Sequence, residues 1–225
     1  MLYAIGDIHG ERELLEELLG SLPLRDDDCL VFVGDYVDRG PDSSGVVDTL
    51  LRVQKERRCV FLLGNHESMF LSFLGWHRSE YFGGDAFLMN GGDRTLASYG
   101  FFEAEEPDIK SFELPSDHKR FFKRLKLFHR EGDYLFVHAG VGRDLLDEVD
   151  IDYALRRARS EDLLWDRTSV DLPHKLGVTV VYGHTPALDF SVRWNDPFSI
   201  GIDTGAVYGG RLTAIRLPDE TLFQV

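Results

Sequence analysis

The sequence predicts an α/β fold, a two-layer pair of sheets flanked by helices. In the first seventy residues short apolar runs alternate with segments of helical spacing, which is the pattern of βαβ units. The second half carries further short β-rich runs separated by Gly and Pro turns, enough for a second sheet. Asp, Asn and His follow directly after the apolar runs, at the carboxyl ends of strands where ligands bind in open α/β sheets.

Leu2 to Ile5 reads as a buried strand ending at Gly6-Asp7, and Glu11 to Leu19 as a helix with Leu14, Leu15, Leu18 and Leu19 on one face. Cys29 to Val33 is a second strand, followed by a loop from Gly34 to Asp42 and a helix capped by Ser43 and running to about Val53. Cys59 to Leu63 is a third strand, with Gly64-Asn65 after it. These units predict a largely parallel sheet with right-handed crossovers. From about residue 70 to 127 the strand signal disappears, and a helical insertion is expected beside the active face, with a turn at Asn90-Gly91-Gly92 and an acidic piece from Glu103 to Asp108. Tyr134 to His138, Val178 to Tyr182, Phe198 to Ile202 and Leu212 to Leu217 are the runs assigned to the second sheet.

With 225 residues, 43% of them hydrophobic, the chain is expected to form one domain over residues 1–225. Its 25 basic and 39 acidic side chains give 25 − 39 = −14, which repels a phosphate backbone and argues against a nucleic-acid partner. Cys29 and Cys59 both open apolar runs and read as reduced core thiols. The two reduced thiols assign the chain to the cytoplasm, and no run approaches the ~18 apolar residues of a membrane span, so no membrane partner is expected.

The candidate ligands are Asp7 and His9 after the first strand, Asp35 after the second, Asn65 after the third, then His138 and His184. Hard oxygens and borderline nitrogens without thiolate suit Mn, Fe, Zn or Mg, with Mn the expected metal. Six such ligands exceed the four of one structural zinc. Two divalent ions ~3.5–4 Å apart would use them all, with Asp35 as the bridge, and would generate a hydroxide near neutral pH. Arg39 and Arg167 are candidates for gripping phosphoryl oxygens, because a planar guanidinium bonds two oxygens while neutralising charge.

Gly-Asp-Ile-His-Gly (6–10), Gly-Asp-Tyr-Val-Asp-Arg-Gly (34–40) and Gly-Asn-His-Glu (64–67) occur in order at ~30-residue βα spacing. His138-Ala-Gly, Leu164-Trp-Asp-Arg167, Gly183-His-Thr-Pro186 and Ile202-Asp-Thr-Gly-Ala206 follow. In these blocks the chain resembles the bacterial and bacteriophage serine/threonine phosphoprotein phosphatases of the calcineurin-like metallophosphoesterase superfamily. The resemblance implies that Asp7, His9 and Asp35 hold one metal, and Asp35, Asn65, His138 and His184 the other. It implies a phosphorylated protein or peptide as substrate, attacked directly by the metal-held hydroxide. His66, next to a ligand, would protonate the leaving oxygen, and Asp38 would orient it. Arg39, Arg167, Asn65 and Tyr208 would contact the substrate. Leu63 stands where those phosphatases usually carry Arg, and it supports the alternative, a symmetrical bis(5'-nucleosyl)-tetraphosphatase.

Overall fold

The computed structural model describes residues 1–76, 84–103 and 108–225. Its elements in chain order are β1 (Leu2–Ile5), α1 (Arg12–Ser21), β2 (Cys29–Phe32), α2 (Ser43–Glu56), β3 (Arg58–Phe61) and α3 (Asn65–Phe73). Then come α4 (Asp85–Phe87), α5 (Asp93–Ser98), α6 (Ser116–Phe122), β4 (Phe128–Glu131), β5 (Tyr134–Val137), α7 (Ile151–Arg157) and α8 (Ser160–Trp165). The chain closes with β6 (Thr179–Tyr182), β7 (Arg193–Asn195), β8 (Ser199–Gly201), β9 (Thr213–Leu217) and β10 (Thr221–Gln224).

The strands form two mixed sheets, ordered β10-β9-β1-β2-β3 and β4-β5-β6-β8-β7. Alternation along each strand explains why the central runs are apolar throughout. Ala4, Val31, Val60 and Leu62 of the first sheet meet Phe136, Val181, Ile200 and Ile202 of the second in a core between the layers. Tyr3, Ile5, Leu30 and Phe32 point the other way, onto α1, α2 and the helices after β3. Leu135, Val137, Val180 and Tyr182 face Ile151, Ala154 and Leu163 of α7 and α8. Each central strand therefore buries both faces, and the two layers with outer helices follow.

Parallel register decides where the polar residues lie. Ile5 pairs with Phe32 and Phe32 with Phe61, so the loops after β1, β2 and β3 leave the sheet at one level. Phe136 pairs with Val181 and Tyr182 with Gly201, which aligns the exits of β5, β6 and β8 in the facing sheet.

Three expectations are corrected. The run at Leu212 to Leu217 joins the first sheet, because β9 pairs antiparallel with β1 from Leu2↔Leu217 to Ile5↔Ala214 and so covers a strand edge that would otherwise be unpaired. The first sheet is consequently mixed. Asp42, not Ser43, caps α2, since its carboxylate accepts from the Gly45 N–H at 2.8 Å while Ser43 is spent elsewhere. Strands β4, β7 and β10 were not foreseen; each lies at a sheet edge and is half exposed, so none has an apolar run to announce it.

The described residues between α3 and β4 are helical or irregular apart from a β-bridge between Lys126 and Leu62. Aromatic contacts fasten them to the first sheet: Phe70 stacks on Phe87 at 5.1 Å and meets Phe122 edge-on at 5.5 Å, while Phe121 touches both Phe61 and Tyr36. His77 and residues 104–107 of the acidic piece lie outside the described residues. Among the described residues no helix is long and apolar enough to cross a membrane. Cys29 and Cys59 are free thiols, and burial pushes Cys59 up to about 12.

Candidate active site

The six predicted ligands converge at the common carboxyl edge of the two sheets, and all six are buried. The sheets are tied together there by the site itself: His138 Nδ1 donates to the Val33 carbonyl at 2.9 Å, and the His184 backbone N–H donates to Asp7 Oδ2 at 2.9 Å. Glycines let the loops close in. A Cβ on Gly34, which has φ +109°, would stand 2.8 Å from the Gly64 backbone and 2.9 Å from His138 Nδ1. His9, Asp35, Asp38, Arg39 and His184 themselves adopt positive φ, a strained backbone that concentrates at functional sites.

Asp35 sits between two histidine groups. Its Oδ2 is 3.4 Å from His9 Nε2 and 3.9 Å from His66 Nε2, whereas its Oδ1 is 3.4 Å from His138 Nε2. The donor atoms fall into two sets, His9-Asp35-His66 and Asp35-His138-His184, that share this carboxylate. Asn65 Oδ1 is 2.8 Å from His138 Nε2 and 2.9 Å from His184 Nδ1. Arg39 Nη1 reaches His9 Nε2 at 2.7 Å.

Electrostatics and hydrogen bonding both fit a pair of divalent cations. His9 and His138 commit Nδ1 as donors to the Val37 and Val33 carbonyls, so each presents the Nε2 lone pair to the site. Burial lowers the pKa values of His9, His138 and His184, which keeps those rings neutral and able to ligate. His138 Nε2 and Asn65 Oδ1 stand 2.8 Å apart, two potential ligand atoms turned to one point where a cation can lie against both. Burial also pushes Asp7 well up, helped by the carboxylates of Asp203 and Asp35. Asp35 is held below the usual carboxylate range by His138, His66 and His9 despite its burial. Asp7 Oδ1 and His184 Nε2 are buried with no hydrogen-bond partner. A carboxylate-rich, imidazole-rich pocket with orphaned ligand atoms suits hard divalent ions.

His66 follows Asn65 on the first turn of α3. Its Nδ1 donates to Asp38 Oδ2 at 2.6 Å, which turns Nε2 toward the site. Arg39 stacks its guanidinium 5.4 Å from the Tyr208 ring, which is half exposed at the mouth. Arg167 is exposed, and its charge bears on both His184 and Asp203. Asn90 turns back to the Ala86 carbonyl at 2.7 Å, so the contact its loop makes with the site comes through the Gly91 carbonyl, which accepts from the Arg39 N–H at 3.2 Å. His118, His129 and His174 are occupied by Tyr99 and Asp48, by Glu131 and by the Phe198 carbonyl.

Sequence reasoning assigned no role to three further residues. Asp203, after β8, is a carboxylate at a sixth strand end; burial pushes it up to about 6, against a hydrogen bond from the Gly205 N–H and with Asp35 adding to the rise. Its Asp-Thr-Gly motif was the available signal. Glu67 accepts from the backbone N–H groups of Asp35, Tyr36, Val37 and Gly64 at 2.7–3.1 Å, and so shapes the loop carrying Asp35 and Asp38. Thr95 of α5 bonds Asp38 from 57 residues away, and nothing local announces it.

This geometry defines a buried centre suited to divalent metal. The Calcineurin-like phosphoesterase family profile matches residues 2–208, and the chain belongs to that family. The chain is 30% identical, over 98% of its length and 90% of the relative, to the asymmetrical bis(5'-nucleosyl)-tetraphosphatase PrpE of Oceanobacillus iheyensis. A solved structure described as a candidate diadenosine tetraphosphatase superposes with a TM-score of 0.66 at 26% identity, covering 100% of this chain and 92% of that one. A cold-active protein tyrosine phosphatase superposes with a TM-score of 0.65 at 18% identity, covering 99% and 78%, which shows a shared fold. The chain is therefore a hydrolase of phosphoester bonds that uses divalent metal.

Proposed function

We propose that the chain hydrolyses dinucleoside polyphosphates asymmetrically, releasing a nucleoside monophosphate and a nucleoside triphosphate from a tetraphosphate. The observation that carries this reading is likeness along nearly the whole chain to a relative named for that activity. It replaces the phosphoprotein substrate expected from the motifs, and it differs from the symmetrical alternative, which would give two diphosphates. Leu63 supports the shift. Its side chain is buried in the core beneath the helices, so position 63 offers no cation to a phosphorylated side chain.

Asp7, His9 and Asp35 would hold one divalent ion, and Asp35, Asn65, His138 and His184 a second. In that place the pair supplies an activated water and offsets charge on the phosphoryl group. The protein's own groups do the rest. Arg39 and Arg167 grip nonbridging oxygens, and Tyr208 keeps Arg39 at the mouth. His66, oriented by Asp38, gives a proton to the departing oxygen. Asn65 reaches the same space between the two histidines and can touch substrate as well as metal.

The test is turnover of diadenosine tetraphosphate with added Mn, the products being separated by anion exchange. AMP and ATP in equal amounts support the proposal. Two equivalents of ADP would identify the symmetrical reaction, and faster turnover of a phosphoserine or phosphotyrosine peptide would overturn the substrate class.

A further inference from the structure

Thr95 and Asp38 are both fully buried and face each other across the gap between α5 and the loop after β2. The Thr95 hydroxyl donates to Asp38 Oδ1 at 2.6 Å. It also accepts from the Asp38 backbone N–H at 2.8 Å, and the Ser43 hydroxyl lies 3.1 Å from both Thr95 Oγ1 and the Asp38 N–H. A hydroxyl has one proton, and here it is committed to Oδ1. That leaves Asp38 Oδ2 as the acceptor for His66 Nδ1 at 2.6 Å. Asp38 has φ +72°, so its backbone cannot settle the carboxylate by ordinary local preference.

We propose that Thr95 is a positioning residue that fixes the Asp38 carboxylate and, through it, the His66 ring. The helical stretch after α3 then contributes to the reaction from a side chain that touches neither substrate nor metal. The proposal rests on His66 being the proton donor described above, but the hydrogen bond can be read independently of that role. Removing the hydroxyl leaves Oδ1 of a buried carboxylate without a partner, and the carboxylate is then free to turn away from His66. The Asp38 N–H keeps Ser43, so the backbone need not move.

The variants are Thr95→Val, Thr95→Ser and the double change Thr95→Val with Asp38→Asn, with Thr95→Ala used if the valine variant does not fold. The first readout is the His66 Nδ1–H proton signal in the Mg-loaded full chain, which a 2.6 Å bond to a carboxylate shifts strongly downfield. The second is kcat on phenyl phosphate, a poor leaving group, against p-nitrophenyl phosphate, a good one. Thr95→Val should lose the downfield signal and lower kcat on phenyl phosphate by roughly 10–100-fold, with a smaller loss on p-nitrophenyl phosphate and KM unchanged. Thr95→Ser should restore both, and Thr95→Val should add little to Asp38→Asn. Loss of the signal with an equal loss on both substrates would uphold the positioning role and sink the proton-donor reading. A retained signal with wild-type kinetics, or a uniform loss that follows melting temperature and is not rescued by serine, would overturn the proposal.

Discussion

His66 Nδ1 donates to Asp38 Oδ2 at 2.6 Å, and both side chains are buried. A carboxylate in that place fixes which ring nitrogen faces the site. His66→Asn should lower kcat on phenyl phosphate by about 10²–10⁴-fold, and less on p-nitrophenyl phosphate. Metal stoichiometry, measured by elemental analysis, should stay at the wild-type value. An equal loss on both substrates at intact metal content would make His66 a static phosphate contact, and a loss of metal would make it a ligand.

Metal removal should be decisive, because the site concentrates buried carboxylates that need cations. EDTA should abolish hydrolysis and Mn should restore it. Since the ions bind the folded chain and not the unfolded one, Mn should also raise the melting temperature. That rise should shrink in Asp35→Asn, which removes charge from both ligand sets at once. Full activity in a preparation free of metal by elemental analysis would end this account of the site.

Asp203→Asn tests the sixth strand end. The ionised Asp203 carboxylate adds to the burial that raises Asp7, so removing it should stabilise the metal-free chain, by about 1 kcal/mol. The same change should weaken metal binding. Thermal melts with and without Mn check both halves, and a lower metal-free melting temperature would contradict the crowding argument.

Glu67→Gln replaces an acceptor of four backbone N–H groups by an amide with only one oxygen. At least one N–H in the loop carrying Asp35 would lose its partner. The expected cost is about 2–3 kcal/mol in urea unfolding, with metal affinity reduced. A neutral effect on both would mean the loop holds its shape without the carboxylate.

Asp166 organises the segment that carries Arg167. Its carboxylate accepts from the N–H groups of Thr168 at 2.8 Å, Ser169 at 3.2 Å and Gly142 at 3.1 Å. Against partial burial, the Ser169 hydroxyl and then the Thr168 and Ser169 N–H groups hold its pKa below the usual value. A depressed folded pKa gives stability that is present above the unfolded value near ~4 and lost as pH falls below it. Asp166→Ala should cost about 2 kcal/mol at pH 7 and less at pH 3, and should raise KM through misplacement of Arg167. A pH-independent cost would assign the loss to packing.

The candidate ligand set was legible because each of its members follows a strand whose apolar run is unmistakable. Asp7, Asp35, Asn65, His138 and His184 all sit within four residues of a strand's end, and parallel register brings those of each sheet level. The edge strands were illegible for the opposite reason: Arg193–Asn195 and Phe128–Glu131 bury too little to need an apolar pattern.

Residue type and strand-end position thus determined in advance that this chain would gather carboxylates and imidazoles at one sheet edge. Contacts between distant segments were decided only by the fold. Asp38 and Thr95 are 57 residues apart, Asp203 follows a strand in the second sheet, and β9 crosses back to cover β1. Local periodicity records what a residue buries. It does not record which partner, brought from elsewhere in the chain, takes up its hydrogen bonds, because that choice is made by packing.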